Sequence, residues 1–112
     1  MNKLNEVIGY VRSNHEKLEN NDNLIKQENA IRKYAEENGH DVLEVFVDKN
    51  ESTKNFNRTG LQAMLKYIEI NPQKVKMLVV SDISRLSRNA EEFLSLKDFL
   101  KFRGIKLTSL AR

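Results

Sequence analysis

The chain has 112 residues, of which 39% are hydrophobic and 31% charged, a composition that suits one domain with a single core. It contains no cysteine, so disulfides and thiolate metal sites are excluded, and its net charge of +3 favours a polyanion over a basic partner. The N-terminus lacks the features of a signal peptide, and no segment approaches the roughly 20 apolar residues that span a membrane. We therefore expect a soluble, cytoplasmic domain without a membrane partner.

The hydrophobic pattern predicts strands that alternate with helices along the chain. The strands are predicted at 6–12, 41–48, 75–82 and 105–110. The helices are predicted to begin at Asn23 and Asn57 and to span about 90–103. The order β-α-β-α-β-α-β implies an α/β fold of three layers, in which a mostly parallel sheet of four to five strands carries helices on both faces.

Arginines follow three of the predicted strands at their carboxyl ends, where ligands of such sheets bind. Arg12 ends the first strand, Arg58 follows the second, and Arg85 and Arg88 follow the third. Each arginine alone would be an ordinary surface charge. Four guanidinium groups at one edge of a sheet, however, would repel one another without an anion. Their convergence therefore predicts a phosphate-binding site.

Four motifs occur in this order: "YVRSN" at 10–14, "NLIKQ" at 23–27, "VDKNESTKNFNRTGLQAML" at 47–65 and "VVSDISRLSRN" at 79–89. Together they resemble the catalytic domain of serine recombinases, the resolvase/invertase family. The corresponding family motifs are Tyr-x-Arg-Val-Ser, Ser-Leu-x-x-Gln, an Asp–Ser–Gly stretch with Arg-Pro-Gly, and Asp-Arg-Leu-Ser-Arg after an apolar strand. The last motif is the most specific, and the resemblance covers almost the whole chain. It implies a resolvase-like fold.

The resemblance implies a site-specific recombinase domain for DNA strand cleavage and exchange. A serine hydroxyl would attack the scissile phosphodiester and form a 5′-phosphoserine link, with no metal or other cofactor. Arginines would balance the charge that grows on the phosphoryl oxygens. By position, Arg12, Arg85 and Arg88 match the phosphate-clamping arginines. The supporting polar positions are matched by Arg58, Ser52, Asp48 and Gln27.

Two positions depart from the family pattern, and both carry its chemistry. Asn14 stands at the nucleophile position, and Ser84 stands at the aspartate position. The amide nitrogen of Asn14 has a delocalised lone pair and no ionisable proton, so it cannot attack as a hydroxyl can. Ser13 carries a hydroxyl, but side chains alternate across a strand, so we expect it to face away from Arg12. We therefore expect a degenerate recombinase domain that keeps an anion site without cleavage.

Two alternative interpretations remain open at this point. An active recombinase could use Ser13 as its nucleophile if a break in the strand rotates this residue. A non-catalytic small-molecule or signalling domain could use a similar sheet, but it would want a Gly-rich phosphate loop or an acidic cluster. The chain has only four glycines, and none forms such a loop.

Family members continue into a long dimerisation helix and a separate DNA-binding domain. The resemblance therefore implies that residues 1–112 are one catalytic domain in the N-terminal part of a longer protein, which would act as a dimer or tetramer. Alone, the domain would contact only the DNA backbone, weakly and with a steep dependence on salt. Leu94 and Phe102 lie off the apolar stripe of the last helix, so they mark either a subunit interface or a wider buried arc.

Overall fold

Four parallel strands form the centre of the computed structural model, which describes residues 5–13, 21–49 and 58–111. The strands are β1 (Asn5–Arg12), β2 (His40–Asp48), β3 (Met77–Val80) and β4 (Lys106–Ser109). They lie in the order β2-β1-β3-β4, and all three pairings are parallel. The predicted fold class, a mostly parallel sheet with helices on both faces, is confirmed.

Helices cover both faces of this sheet. They are α1 (Asn21–Glu37), α2 (Thr59–Ile70), α3 (Ile83–Leu86) and α4 (Ala90–Phe102). On one face, Ile31 of α1 belongs to the same buried cluster as Val11 of β1. On the other, Met64 of α2 and Leu100 of α4 share a cluster with Tyr10. None of the helices in the described ranges combines the length and the apolar character needed to cross a bilayer.

The alternation of side chains along β1 decides which of its residues face the arginine-bearing loops. Val7 and Val11 lie in the cluster under α1, whereas Ile8 and Tyr10 lie in the cluster under α2 and α4. Arg12 follows the same alternation as Tyr10, so its side chain belongs to the face that carries α2, α3 and α4. The sheet therefore directs Arg12 toward the segment that links β3 to α4.

Most predicted boundaries agree with the structure within two residues. The third strand is shorter than the predicted 75–82, because the chain turns at Asp82 into α3, a single helical turn that the apolar pattern does not predict. The second helix begins at Thr59, and its predicted cap, Asn57, lies outside the described residues.

Two side chains on α4 are exposed despite being apolar. Leu94 is 57% and Phe102 88% exposed. The alternative in which this helix is buried over a wider arc is therefore wrong for the single chain, because a buried arc would cover both side chains. Their part in a subunit interface stays a prediction.

Candidate functional site

Asp48, at the carboxyl end of β2, caps the N-terminus of α2 from outside the helix. Its Oδ1 accepts a hydrogen bond from the Gly60 N–H at 2.6 Å, and its Oδ2 accepts one from the Leu61 N–H at 2.9 Å. Oδ2 also accepts the Tyr10 hydroxyl at 2.5 Å. The residue before the helix, Arg58, has a φ of 50° and makes no side-chain cap bond. The buried carboxylate thus satisfies N–H groups that the first turn leaves without partners.

Gly60 allows this contact because α2 begins almost against β2. A Cβ atom at this position would lie 2.3 Å from the main-chain oxygen of Val47. Since no side chain fits at that distance, glycine is required for the helix N-terminus to reach Asp48.

The Arg58 guanidinium is buried and joins three parts of the chain. Its Nη1 donates to Glu92 Oε1 at 2.8 Å, and its Nη2 donates to the Leu86 carbonyl and, at 3.4 Å, to the Tyr10 hydroxyl. Burial lowers the pKa of Arg58, but Tyr10 and Glu92 outweigh it, so this pKa is raised overall. Burial, with the hydrogen bond to Asp48, also raises the pKa of Tyr10. Both groups therefore keep their protons at neutral pH.

Glu92 connects this buried group to the segment between α3 and α4. The oxygen that pairs with Arg58 also accepts the Arg88 N–H at 2.8 Å, and Asn89 Oδ1 accepts the Glu92 N–H at 2.8 Å. Burial raises the pKa of Glu92, but the Arg88 N–H and the charge of Arg58 lower it more, so the pKa is lowered overall. The carboxylate is therefore ionised at neutral pH.

Arg12 and Arg85 hold each other through main-chain carbonyls. Arg12 Nε donates to the Arg85 carbonyl at 3.0 Å, and Arg12 Nη2 donates to the Ser84 carbonyl. In return, Arg85 Nη1 donates to the Arg12 carbonyl at 3.2 Å. Burial lowers the pKa of Arg12, and the charges of Arg58, Arg85 and Arg88 lower it further. The structure thus brings all four predicted arginines to one edge of the sheet.

Gln27 of α1 hydrogen-bonds to the main chain at the end of β1. Its Oε1 accepts the Arg12 N–H at 3.2 Å, and its Nε2 donates to the Arg12 carbonyl at 2.9 Å and to Asn23 Oδ1. The side chain is buried, at 5% exposure. Gln27 therefore fixes the main chain from which the Arg12 side chain extends.

The other predicted site residues differ in their surroundings. Ser13 is buried, and its N–H donates to the Asp48 carbonyl at 3.1 Å, which continues the parallel pairing of β1 with β2. Ser84 is exposed; its carbonyl accepts from Arg12 and its N–H donates to Asp82 Oδ1. Two predicted site residues lie outside the described residues: Asn14 and Ser52.

Two members of this network, Tyr10 and Glu92, are absent from the sequence-based prediction of the site. Tyr10 lies in an apolar run, where the strand pattern indicates a core residue and gives no sign of its hydroxyl contacts. Glu92 had a detectable signal, because Asn89 and Glu92 have the spacing of a helix capping box.

Comparisons with known proteins identify the family and the fold. The family model of the Resolvase N terminal domain matches residues 7–112. The N-terminal catalytic domain of TP901-1 integrase is similar at 28% identity and a TM-score of 0.78, over 94% of this chain and 77% of that one. The C-terminal catalytic domain of ISC1926 TnpA, an IS607-like serine recombinase, is similar at 25% identity and a TM-score of 0.77, over 96% and 68%.

A further solved structure supports the fold alone. A resolvase family site-specific recombinase from Streptococcus pneumoniae has 23% identity and a TM-score of 0.83, over 95% of this chain and 72% of that one. No curated protein matches the sequence. Because the family model covers nearly every residue, the chain belongs to the resolvase N-terminal domain family, the catalytic domain of serine recombinases.

Proposed function

We propose that this domain binds the phosphodiester backbone of DNA through its arginine cluster but does not cleave it. The observation that carries the proposal is the reciprocal bonding of Arg12 and Arg85 beside the exposed Arg88. Guanidinium groups held this close repel one another, and a phosphate between them would relieve that repulsion. The cluster therefore favours an anion at the carboxyl edge of the sheet.

The four arginines have different roles in this proposal, according to their burial. Arg88 is exposed and Arg85 is half-buried, so both can present donors to a phosphate at the surface. Arg12 and Arg58 are buried, at 7% and 6% exposure, and donate to main-chain carbonyls. They supply positive charge and hold the segment that carries the other two. The supporting positions, including those outside the described residues, are Gln27, Asp48 and Ser52.

The absence of cleavage follows from the residues matched to the family's nucleophile and aspartate. Asn14 has no group that can attack phosphorus, and Ser84 offers no carboxylate. The burial of Ser13 and its continued pairing with β2 support the view that its hydroxyl lies away from the anion site. An active enzyme that uses Ser13 is the second candidate, because that hydroxyl adjoins Arg12 in sequence.

A suicide DNA substrate, which traps the covalent intermediate, separates these two candidates. We expect no protein–DNA adduct from the unmodified chain, even when it is joined to the C-terminal parts that the family resemblance implies. Asn14→Ser combined with Ser84→Asp is the variant expected to recover an adduct, whereas Asn14→Ser alone should give little because the carboxylate is still missing. The double variant thus serves as the positive control in the same background. An adduct from the unmodified chain that disappears with Ser13→Ala would show that Ser13 is the nucleophile.

Binding to duplex DNA tests the other half of the proposal. We expect weak binding that does not discriminate between sequences and that falls steeply with salt, since only phosphates are contacted. Nanomolar, sequence-selective binding by these 112 residues would contradict it. As part of the same proposal, the domain acts in the cytoplasm within a longer protein that forms dimers or tetramers, and the exposed Leu94 and Phe102 contribute to a subunit contact.

A further inference from the structure

The segment between α3 and α4 is held at both of its ends by one ion pair. At its start, the Leu86 carbonyl accepts from Arg58 Nη2. At its end, the Arg88 N–H donates to Glu92 Oε1 at 2.8 Å. The two holding groups are themselves joined, because Arg58 Nη1 donates to the same Glu92 oxygen at 2.8 Å. The position of Arg88 thus depends on a glutamate one turn into the next helix.

No other carboxylate among the described residues of the site can replace Glu92 in this contact. The buried carboxylate of the site, Asp48, is occupied: its two oxygens accept the N–H groups of Gly60 and Leu61 and the hydroxyl of Tyr10. Arg58 reaches Asp48 only through Tyr10. Without Glu92, the buried guanidinium would lose its direct counter-charge, and the Arg88 main chain would lose its acceptor.

We propose that Glu92 is a positioning residue of the anion site, which fixes Arg58 and the Arg88 main chain so that Arg85 and Arg88 can meet one phosphate. The inference rests on the proposed function, because it assumes that these arginines bind an anion. Glu92 does not touch the phosphate, and its own negative charge repels it. Glu92 therefore favours phosphate binding by positioning the arginines, whereas its own negative charge disfavours it.

This opposition makes the inference testable, because geometry and charge predict opposite results. If Glu92 acted only through its charge, any neutral substitution would strengthen phosphate binding to the same extent. If Glu92 served only folding, substitutions would change stability and leave the affinity of the folded protein as it is. A positioning role predicts that affinity depends on which hydrogen bonds the substitute retains.

Two pairs of proteins hold the charge constant while they vary the contacts. Glu92→Gln and Glu92→Ala both lack the charge, but only glutamine keeps an oxygen for Arg58 and Arg88. Wild type and Glu92→Asp both carry the charge, but aspartate is one methylene too short to reach both donors. Glu91→Ala is the matched control, since Glu91 lies in the same first turn and is exposed.

The measurement is the titration of the 112-residue chain with inorganic phosphate, followed by NMR at the backbone amides of Arg85 and Arg88. We expect Glu92→Ala to bind phosphate roughly tenfold more weakly than Glu92→Gln, about the loss that one charge-assisted contact represents. Glu92→Asp should likewise bind more weakly than wild type. Glu91→Ala should stay within about twofold of wild type, as expected for an exposed charge.

The outcomes distinguish this inference from the proposed function. If phosphate does not perturb Arg85 or Arg88 in the wild type, the anion site itself is wrong and the inference falls with it. If the wild type binds but Glu92→Ala and Glu92→Gln have equal affinities, only the positioning role is wrong. Should Glu92→Ala fail to fold, the comparison of Glu92→Asp with wild type decides, and equal affinities there would overturn the role.

Discussion

The buried and the exposed halves of the arginine site use the same side chain for different purposes. In the buried half, Arg58 donates to Glu92, to Tyr10 and to a main-chain carbonyl, and Tyr10 links it to the carboxylate that caps α2. In the exposed half, Arg88 extends into solvent and Arg85 is half-buried. Burial and partners, rather than residue type, thus decide whether an arginine holds the fold or lies at the surface.

This division is consistent with the proposed function, in which the domain keeps the arginine cluster but does not cleave DNA. The buried half joins β1, β2, α2 and α4, so its residues are needed for folding whether or not DNA is cleaved. A chain with Asn14 at the nucleophile position can therefore retain the arginine cluster. Stability should depend mainly on the buried half, whereas direct contact with an anion should depend on the exposed half.

The strongest test of the comparison is the removal of the buried carboxylate by Asp48→Ala. The substitution leaves the N–H groups of Gly60 and Leu61 and the Tyr10 hydroxyl without their acceptor. We expect a loss of roughly 3–5 kcal/mol in the free energy of unfolding, measured by urea denaturation. Asp41→Ala, at an exposed position of the same strand, is the control and should cost little. Equal, small losses in both variants would mean that the cap is dispensable.

Gly60→Ala tests the close approach of α2 to β2. The added methyl group would meet the Val47 carbonyl oxygen at 2.3 Å, so the helix must move away from Asp48. We expect a loss of about 2–3 kcal/mol in the free energy of unfolding, in the range of overpacked sites. Thr59→Ala, at the exposed preceding position, should change stability by less than about 0.5 kcal/mol. A Gly60→Ala protein as stable as wild type would show that the contact relaxes without cost.

The sequence predicts where the arginines lie, but it does not predict the partners of Arg58. The order of strands and helices follows from apolar periodicity, and the parallel sheet brings Arg12, Arg58 and Arg85 to one edge. This convergence of the arginines depends on the topology of the sheet alone, so it can be predicted from the sequence. The partners of Arg58 do not follow in this way, because they require the distance between the N-terminus of α2 and the α3–α4 segment.

Local detail accounts for the remaining differences. The turn that forms α3 depends on a bond from the Ser84 N–H to Asp82 Oδ1, a short-range interaction that apolar periodicity does not report. The cap of α2 comes from Asp48, a residue of a different element, so a search for a cap beside the helix cannot find it. In both cases a polar contact decides the structure, and sequence patterns of apolar residues contain no information about it.

Arg88→Ala addresses the exposed half. Because this side chain is exposed, we expect its removal to change the free energy of unfolding by less than about 0.5 kcal/mol. Phosphate or DNA binding should weaken roughly tenfold, and the slope of log affinity against log salt should fall by about one. Lys33→Ala, on the exposed surface of α1, is a control of equal charge change. If both variants bind alike, net charge rather than the cluster determines binding.

The smallest expected effect is a pH dependence of the free energy of unfolding that arises from Glu92, which connects the buried Arg58 to the exposed Arg88. The pKa of Glu92 is lowered from its ordinary value of 4.5, because the Arg88 N–H and the charge of Arg58 outweigh the effect of burial. A carboxyl group with a lowered pKa stabilises the fold above its unfolded pKa, and this contribution is lost as the pH falls through the folded pKa. Because Glu92 is partly exposed, we expect this contribution to the free energy of unfolding to be less than about 1 kcal/mol.

The measurement is the difference in unfolding free energy between wild type and Glu92→Gln from pH 7 to pH 3. All other carboxyl groups are common to both proteins, so a wild-type advantage at pH 7 that shrinks as the pH falls from the ordinary pKa through the lowered, folded pKa belongs to Glu92. A difference that stays constant over this range would show that its charge does not stabilise the contact with Arg58.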